Sequence, residues 1–532
     1  MSARILLSHP LSLSLGSAFF YIALSDFPTY AWPLGFVALI PLFLLIRREQ
    51  STRNIFWYGF LFGFVAIAGT TIWFLGAYPL EWAGIESRSV AALIVASVWI
   101  TTSVFLGVFF ALFAWLFKKL SYGDWRDIVT ASSLWVLMEY SRALFLSIIF
   151  LGSQSSLGPD WILGFFGYSL GWSHLFASFV APLGGVYLVA FVGVAINYAM
   201  FLVVWKFRGK RLSFVCLALV AALSIFYGVD QAAVSRPVSG ETKTVAIVTT
   251  NFPASFSDGL IVMGTKAASL ERLITEAVQN APDIIVLPED SRAQEYLGAL
   301  RVQELLNRSG RDTVLIDSAR SSHGSGARAK IFFLSSTGGV PDESAKEFLM
   351  PFGEYVPYAA ALIARLFGQE EWLMSFDTVR GYERGESQTY RFREHVLGTL
   401  FCSEIIPDSP YRNLARRGAD IFLNVASHAD FHENGEVLYA QTLSTAKMKA
   451  AAHRRYFIQA GNHMPSFILN ERGEVLAESA RGENSVLFST VRFNTEKTLY
   501  TRYGDWMLIV ALVLLVGPVW SKRRAISLRR IG

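Results

Sequence analysis

Cysteine is scarce in this chain, and its scarcity excludes a disulfide framework. Only Cys216 and Cys402 occur among the 532 residues. Because the first lies in a long apolar run and the second in a polar region, the two are not expected to pair. Charged residues are also few, at 17%, whereas hydrophobic residues make up 53% and the mean hydropathy is +0.39. This apolar content exceeds that of an ordinary soluble domain, so the composition predicts a membrane protein.

Eight apolar stretches are long enough to cross a bilayer as helices, which takes roughly 20 residues each. They lie near 7–24, 30–46, 55–78, 90–117, 128–151, 174–205, 212–230 and 503–520. Between about 232 and 502, short apolar runs alternate with Gly and Pro turns, as in a globular domain. The sequence therefore predicts seven spanning helices in 1–231, one water-facing domain in 232–502, and a last helix with a basic tail in 503–532.

Lysine and arginine are concentrated in alternate loops between the predicted spans. The clusters are Arg47, Arg48 and Arg53; Lys118, Lys119 and Arg126; Lys206, Arg208, Lys210 and Arg211; and Lys522, Arg523, Arg524, Arg529 and Arg530. The positive-inside rule places these loops and both termini in the cytoplasm and the domain on the outer side, the periplasm of a Gram-negative cell. A cleaved signal peptide is the alternative for the first stretch, but no small-residue cleavage site follows it. The clusters explain the net charge of +5, and without a groove-reading motif no nucleic-acid partner is expected.

Strand-like and helical patterns alternate within 232–502. The strand-like runs include Ile284–Pro288 and Gly398–Cys402, and the helical patterns include Thr265–Ala281, Glu295–Ser309 and Val437–Arg455. This alternation favours a layered α/β domain over a barrel made of strands alone. The order of the strands cannot be predicted from it.

Cys402 follows directly on the apolar run Leu397–Phe401. In an oxidising compartment a lone thiol has two interpretations, a reactive nucleophile or a buried and inert side chain. The residues next to Cys402 do not decide between them.

Three motifs favour the nucleophile. They are Val286-Leu287-Pro288-Glu289, the string Lys-Glu-Phe-Leu-Met-Pro-Phe-Gly-Glu-Tyr-Val-Pro over 346–357, and Phe401-Cys402-Ser403-Glu404. Together they resemble the Glu, Lys and Cys triad of the nitrilase, or carbon-nitrogen hydrolase, superfamily. The long string resembles the apolipoprotein N-acyltransferase family in particular. Glu139, Arg142 and Gly152-Ser153-Gln154 match further elements of that family in and after the fifth predicted span.

The resemblance implies a multi-pass bundle of about eight membrane helices that carries a nitrilase-like αββα sandwich. It implies that Cys402 is the nucleophile, Glu289 the general base and Lys346 the cation that stabilises the oxyanion. In the resembled family, the cysteine takes an acyl chain from a membrane phospholipid as a thioester. The chain then passes to the N-terminal amine of the diacylglyceryl-cysteine of an apolipoprotein. The implied location is the bacterial inner membrane, and neither a cofactor nor a metal is implied.

The chemistry of these residue types supports the implied roles. A free thiol has a pKa of about 8.5, so at neutral pH it needs a base or a nearby cation to attack well. Lys346 can stabilise an oxyanion only while it is charged, and a neighbouring carboxylate keeps it so. Glu354 and Glu404 are the candidates for this supporting role. Taken singly, each residue could equally be an exposed acid, a solvated lysine or a turn residue, but their joint occurrence in the family's order favours catalysis.

The sequence departs from the family around the expected acyl pocket. Thr249–Pro253 replaces a Gln-Gly-Asn-Ile element, Ser403 replaces a Tyr, and Ser427-His428-Ala429-Asp430-Phe431 replaces Asn-Asp-x-Trp-Phe. These changes predict remodelled loops around an intact catalytic core. His428, Asp430 and His432 lack cysteine partners and a metal-ligand spacing, so no metal site is expected there.

Three other functions remain open at this stage. The domain could be a membrane-tethered amidase, in which water intercepts the thioester, although tethering to a membrane argues against it. The altered loops could mark a catalytically silent scaffold or binding protein. A transporter is disfavoured because Glu139 and Arg142 are nearly the only charges within the spans. These two residues lie three apart on one helical face, which predicts a structural pair.

Overall fold

The computed structural model describes residues 9–206, 210–232, 242–253, 260–323, 326–379, 381–431 and 435–531. Its N-terminal part is a bundle of long helices. These are α1 (Pro10–Asp26), α2 (Ile40–Arg48), α3 (Thr52–Thr70), α4 (Arg88–Leu120), α5 (Asp127–Ile149), α6 (Ala181–Lys206) and α7 (Lys210–Ala232). Short helical segments connect them at Pro28–Ala31, Trp32–Phe36, Ile72–Ala77, Leu80–Ala83, Phe166–Leu170 and Phe176–Val180.

Small residues allow the bundle helices to approach closely. A Cβ atom on Gly63 of α3 would lie 2.7 Å from the Phe110 side chain of α4, and one on Gly107 would lie 2.9 Å from the backbone of Phe64. Glycine at these positions therefore lets the two backbones pack together, as is common between membrane helices. Next to this contact Phe110 and Trp135 pack with ring centroids 5.7 Å apart in the centre of the bundle.

The predicted number of eight spanning helices is too high by the criterion of length and apolar composition. Among the described residues, three helical segments are long and apolar enough to cross a membrane, namely Pro28–Arg48, Arg88–Leu120 and Phe176–Lys206, and the apolar part of the last helix, Trp506–Ser521, is shorter. Several predicted stretches are shortened or interrupted. The stretch 55–78 ends its α-helix at Thr70 and continues as a 3-10 helix, and 174–205 contains non-helical backbone at Gly184 and Gly185.

Among the described residues that follow the bundle, twelve strands form two six-stranded sheets. The strands are β1 (Thr242–Thr249), β2 (Ile284–Val286), β3 (Val314–His323), β4 (Gly326–Ser335), β5 (Asp342–Ala345), β6 (Thr389–Phe392), β7 (His395–Phe401), β8 (Ile421–Ser427), β9 (Tyr456–Asn462), β10 (Phe467–Leu469), β11 (Val475–Glu478) and β12 (Ser485–Arg492). One sheet has the order β12-β1-β2-β3-β4-β5 and the other β11-β10-β9-β8-β7-β6. Strands β1, β2 and β3 are parallel in the first sheet, as are β7, β8 and β9 in the second.

Nine α-helices in the described ranges accompany the strands or follow them. They are α8 (Leu260–Gln279), α9 (Ala293–Leu297), α10 (Ala299–Asn307), α11 (Tyr358–Leu366), α12 (Glu370–Val379), α13 (Ser409–Arg416), α14 (Gly435–His453), α15 (Leu499–Tyr503) and α16 (Trp506–Ile531). The helix predicted over Glu295–Ser309 is divided between α9 and α10 because Gly298 has a positive φ of 83°.

Apolar residues fill three layers of the domain. Side chains from both sheets, such as Ile247 and Leu423, form the core between the sheets. Leu273 of α8 packs on the outer face of the first sheet, and Leu443 of α14 packs on the outer face of the second. This arrangement is an αββα sandwich, so the predicted fold class is confirmed apart from the helix count. We retain 1–231, 232–502 and 503–532 as a proposed division of the chain; its second boundary falls within α15.

Candidate active site

The predicted site residues follow the ends of strands in both sheets. Cys402 comes directly after β7, Lys346 directly after β5, and Glu289 three residues after β2. Ser427 is the last residue of β8, which lies beside β7 in parallel. Since parallel strands end at the same edge of their sheet, the two sheets bring these residues together at one edge of the sandwich.

Lys346 lies at the centre of the site. Its side chain is only 3% exposed, and its Nζ donates to Glu354 Oε1 at 2.7 Å and lies 3.4 Å from Glu289 Oε1. Burial alone would lower the pKa of Lys346, but the two carboxylates outweigh it and hold the pKa well above its usual value. The lysine therefore stays charged, as stabilisation of an oxyanion requires.

The backbone of Ser427 connects the Cys402 thiol and the Glu289 carboxylate. The backbone N–H of Ser427 donates to Glu289 Oε2 at 3.1 Å, and the Cys402 thiol donates to the Ser427 carbonyl oxygen with a distance of 3.6 Å. Cys402 is half-buried. The main chain of Ser427 therefore positions both groups, a role that the sequence could not reveal because it does not depend on the side chain.

The electrostatics of the site favour a neutral thiol and a basic carboxylate. Burial and the adjacent Glu289 raise the pKa of Cys402 well above its usual value, and the charge of Lys346 only partly opposes them. Burial raises the pKa of Glu289 to about 7, despite the nearby ammonium of Lys346. A carboxylate with this pKa is a suitable general base near neutral pH, and a thiol that is protonated at rest needs one during attack.

Glu354 and its motif support Lys346 from the opposite side. Glu354 Oε2 accepts a hydrogen bond from the backbone N–H of Met350 at 2.7 Å, so one carboxylate oxygen is fixed while the other faces Lys346. Within the same turn Phe352 has a positive φ of 64°, a conformation that is rare for a bulky residue.

Glu404 is a fully buried anchor between two segments of the site. Its Oε1 accepts from the backbone N–H groups of Glu347 and Phe348 at 2.7 and 3.1 Å, and its Oε2 accepts from that of Phe401 at 2.7 Å. Burial raises its pKa to about 7, although these donors oppose the shift. Glu404 thus fixes the segment that carries Lys346 to the end of the strand that carries Cys402. It has no contact with the Lys346 side chain among the described hydrogen bonds, so its support is indirect.

We expect Glu404→Gln to lower the free energy of unfolding by about 1–3 kcal/mol, because the amide nitrogen would face at least one backbone N–H and leave that donor unpaired. Thermal unfolding of the purified protein in detergent measures the change. Glu386→Gln is the matched control, since Glu386 is 75% exposed and its ion pair with Arg417 is 3.8 Å long. Equal stability of the two variants would contradict the anchoring role.

A loop of the bundle supports the segment that contains Lys346 and Glu354. The Tyr355 hydroxyl donates to the Phe150 carbonyl at 2.8 Å, and the rings of Trp161 and Phe348 are 5.0 Å apart. A Cβ atom on Gly152 would lie 2.7 Å from the Tyr355 ring, which explains why a glycine stands there. Gly152 and Tyr355 both lie in motifs quoted from the sequence, but their contact, and the role of Trp161, depend on long-range packing that the sequence does not reveal.

Glu139 and Arg142 interact electrostatically, and each of them also binds backbone groups. Glu139 Oε1 accepts from the backbone N–H of Phe166 at 2.8 Å, whereas Arg142 Nη2 donates to the carbonyls of Leu163 and Gly164, each at 2.9 Å. No ion pair between the two occurs among the described side chains. Both bind the same turn within the bundle, because the backbone polar groups of this irregular turn need partners away from water.

The altered loops adopt defined contacts. The Ser403 hydroxyl donates to the Phe348 carbonyl at 2.9 Å, and Thr250 donates to Asn462 Oδ1 at 2.8 Å. His428 is buried, and burial lowers its pKa to about 3, so it is neutral at physiological pH. His432 and the side chain of Cys216 lie outside the described residues. No cluster that could hold a metal ion occurs among the described ones.

Two parts of the chain match known protein families. Residues 18–199 match the apolipoprotein N-acyltransferase N-terminal domain, and residues 341–499 match the carbon-nitrogen hydrolase family. The apolipoprotein N-acyltransferase of Geobacter metallireducens is 26% identical over 92% of this chain and 92% of its own length. That of Nitrosomonas europaea is 26% identical over 93% of this chain and 95% of its own. An amidase structure from Nesterenkonia sp. covers 52% of this chain and 98% of the amidase at 14% identity, with a TM-score of 0.36.

The αββα sandwich and the carbon-nitrogen hydrolase match define a nitrilase-superfamily domain joined to a helical membrane bundle. The bundle carries a match of its own, to the apolipoprotein N-acyltransferase N-terminal domain. The relatives that match over more than nine-tenths of this chain are apolipoprotein N-acyltransferases, so the chain is similar to that family along nearly its whole length.

Proposed function

We propose that this protein transfers a fatty acyl chain from a membrane phospholipid to the N-terminal amine of diacylglyceryl-modified apolipoproteins, through a thioester on Cys402. The observation that carries the proposal is the Cys402 thiol beside Glu289, whose carboxylate lies 3.4 Å from the buried Lys346 ammonium. A nucleophile, a base and a cation in one buried site are what acyl transfer requires.

In the first half-reaction, Glu289 accepts the thiol proton as the Cys402 sulfur attacks the ester carbonyl of the phospholipid. Lys346 stabilises the negative charge that develops on the carbonyl oxygen. The tetrahedral adduct collapses, the carbon–oxygen ester bond breaks, and the departing lysophospholipid oxygen takes the proton from Glu289. The products are an acyl thioester on Cys402 and a lysophospholipid.

In the second half-reaction, the neutral amine of the acceptor attacks the thioester carbonyl, and Glu289 accepts a proton from the attacking nitrogen. Lys346 again stabilises the oxyanion. The carbon–sulfur bond breaks as the amide forms, and the Cys402 sulfur regains its proton from Glu289. Glu354 does not react in either step; it keeps Lys346 charged and oriented.

The contacts between the bundle and the site favour lipid substrates over soluble amides. The site's segment 346–357 is attached to the bundle through Tyr355 and Phe348. A lipid ester and a lipid-anchored amine both reach such a site without leaving the bilayer. In the same proposal the protein lies in the bacterial inner membrane, with both termini cytoplasmic and the catalytic domain extracytoplasmic. It uses no cofactor or metal.

The test supplies purified protein with phospholipid carrying a labelled acyl chain and with a synthetic peptide that has an N-terminal diacylglyceryl-cysteine. We expect label in an amide on the peptide. Release of labelled fatty acid without peptide product would favour a hydrolase instead. Absence of both, with folding verified by thermal unfolding, would favour a silent scaffold and contradict the proposal.

The pKa of Glu289 predicts how the rate depends on pH. Because this pKa is raised to about 7, the carboxyl group becomes protonated as the pH falls below about 7 and can no longer accept the thiol proton. The rate of thioester formation is therefore expected to fall about tenfold per pH unit on the acidic side of that value.

Single-turnover rates between pH 5 and pH 9, with Glu404→Gln alongside, measure this dependence. The control is needed because the pKa of Glu404 is also raised to about 7. The midpoint should persist in Glu404→Gln. A rate that is flat from pH 5 to pH 9, or a midpoint that vanishes with Glu404, would show that Glu289 is not the base.

A further inference from the structure

A cavity of about 580 Å³ opens at the end of the bundle that carries the basic clusters. Arg47, Arg48 and Lys118 contribute positive charge to its lining, and Phe43, Phe117 and Phe201 contribute aromatic surface. Its volume lies within the range of sites that bind small molecules. The site thus combines cationic and apolar surface in a part of the molecule that the proposed reaction does not use.

The cavity lies far from Cys402, on the opposite side of the bundle. At one end of α16, Trp506 Nε1 donates to the Leu183 carbonyl at 2.8 Å, close to where the chain leaves the catalytic domain. Near the other end, the Ser521 hydroxyl donates to the Tyr122 hydroxyl at 3.0 Å, and Tyr122 lines the cavity. The helix rises by fifteen residue steps from Trp506 to Ser521, which is roughly 22 Å and most of the thickness of a bilayer core.

The charges around the cavity favour an anion. The exposed Arg47 guanidinium lies 5.6 Å from the centre of the Trp205 ring, and no carboxylate among the described residues forms an ion pair with it. Lys118 Nζ is fixed by the carbonyl oxygens of Ile46 and Glu49, at 2.9 and 2.6 Å. The Glu49 carboxylate attracts this charge and Arg47 repels it, so around Lys118 two cations face one carboxylate.

The buried carboxylate of Asp127, next to the cavity, already accepts hydrogen bonds from the protein. The Asp127 carboxylate accepts hydrogen bonds from the Ser121 hydroxyl, from the backbone N–H groups of Tyr122 and Gly123, and from the Tyr198 hydroxyl, at 2.5 to 3.2 Å. These donors lie between the carboxylate and the cavity lining that they help to form. They reduce the repulsion that Asp127 would exert on a bound anion.

We propose that this cavity binds the phosphate group of an anionic phospholipid from the leaflet on the basic side. Arg47, Arg48 and Lys118 would contact the phosphate, and the aromatic residues would contact the upper part of the acyl chains. This lipid is not the acyl donor, because it is bound on the side of the bundle away from Cys402. Its role is to hold together α2, α4 and α6, which supply the lining.

The experiment measures binding of phosphatidylglycerol, of phosphatidylcholine and of inorganic phosphate to the full chain in detergent, by native mass spectrometry. A Cys402→Ser background prevents turnover. Phosphatidylglycerol should bind more tightly than phosphatidylcholine. Arg47→Gln should weaken phosphatidylglycerol binding roughly fivefold, as expected for one basic residue near a lipid phosphate.

Arg53→Gln is the matched control, because it removes the same charge from the start of the next helix, α3, outside the cavity lining, and should leave binding unchanged. If Arg47→Gln does not fold, Arg48→Gln replaces it. Equal effects of Arg47→Gln and Arg53→Gln, or equal binding of the two lipids, would overturn the proposal. Displacement of the lipid by millimolar inorganic phosphate would show a small-anion site and would also overturn it. None of these results depends on the acyltransferase activity.

Discussion

Replacing Cys402 by serine is expected to lower the rate of N-acyl product formation by at least about a thousandfold. Serine keeps the size of the side chain, but its hydroxyl holds its proton far more tightly than a thiol does. Glu289, with a pKa of about 7, is too weak a base to compensate. The loss therefore reports on the chemistry of the nucleophile and not on packing.

Cys216→Ser provides the matched control, since it is the same substitution at the chain's other cysteine, in α7. Full activity is expected for it, as measured by transfer of a labelled acyl chain to a diacylglyceryl peptide. If Cys402→Ser kept more than about a tenth of the wild-type rate, Cys402 could not be the acyl carrier.

Lys346→Met is expected to reduce the rate about a hundredfold to a thousandfold, because it removes the charge that stabilises the oxyanion in a site shielded from water. Methionine keeps much of the side-chain volume and apolar character, so packing is largely retained. The substitution also leaves Glu289 and Glu354 without their shared cation. We therefore expect the pKa of Glu289 to rise further, which would shift the acidic limb of the rate profile to higher pH.

Lys330→Met is the control for this substitution. Lys330 lies in the neighbouring strand β4 and pairs with the half-exposed Glu343 at 2.7 Å, away from the site. Its loss should change the rate less than threefold. If Lys346→Met acted like Lys330→Met, or lowered the rate without moving the acidic limb, Lys346 would not interact with the base as the geometry implies.

Individual helices and strands could be predicted from the sequence, because the spacing of apolar residues within a short segment indicates each of them. The helix predicted over Val437–Arg455 is observed as Gly435–His453, and the strand predicted over Gly398–Cys402 ends at Phe401, immediately before the nucleophile. The sheet order could not be predicted. Strand β1 pairs with β12, from Thr242↔Arg492 to Thr249↔Ser485, and no local pattern reports a pairing across so many residues.

The side chains that meet in the candidate site could be predicted, but the contacts that hold them in place could not. Glu289, Lys346, Cys402 and Glu354 meet as expected, since motifs that are far apart in sequence all follow strand ends. Glu404 accepts hydrogen bonds from backbone N–H groups and also interacts electrostatically with Lys346, so its supporting role stays a prediction. Such a role depends on which segments the fold places side by side, and it leaves no pattern in the sequence.

The bundle was predicted less completely for a physical reason. Hydropathy reports that a stretch is apolar, but not where its helix is interrupted. The helix is interrupted at Gly184 and Gly185, and there the Tyr500 ring packs against the backbone of Gly185. A Cβ atom on Gly185 would clash with that ring. The turn held by Glu139 and Arg142 is a second example, because the sequence indicated two charges on one face but not the backbone that they bind.

The central claim is that Cys402 carries the acyl chain, and intact-protein mass spectrometry tests it most directly. Wild-type protein and Cys216→Ser are incubated with phospholipid in the absence of an acceptor, and the denatured protein is then treated with hydroxylamine. We predict a mass increase of one acyl chain that hydroxylamine removes, and no increase in Cys402→Ser. Two results would contradict the account. One is N-acyl product formation by wild-type enzyme that shows no acyl mass increase, and the other is an equal mass increase in Cys402→Ser.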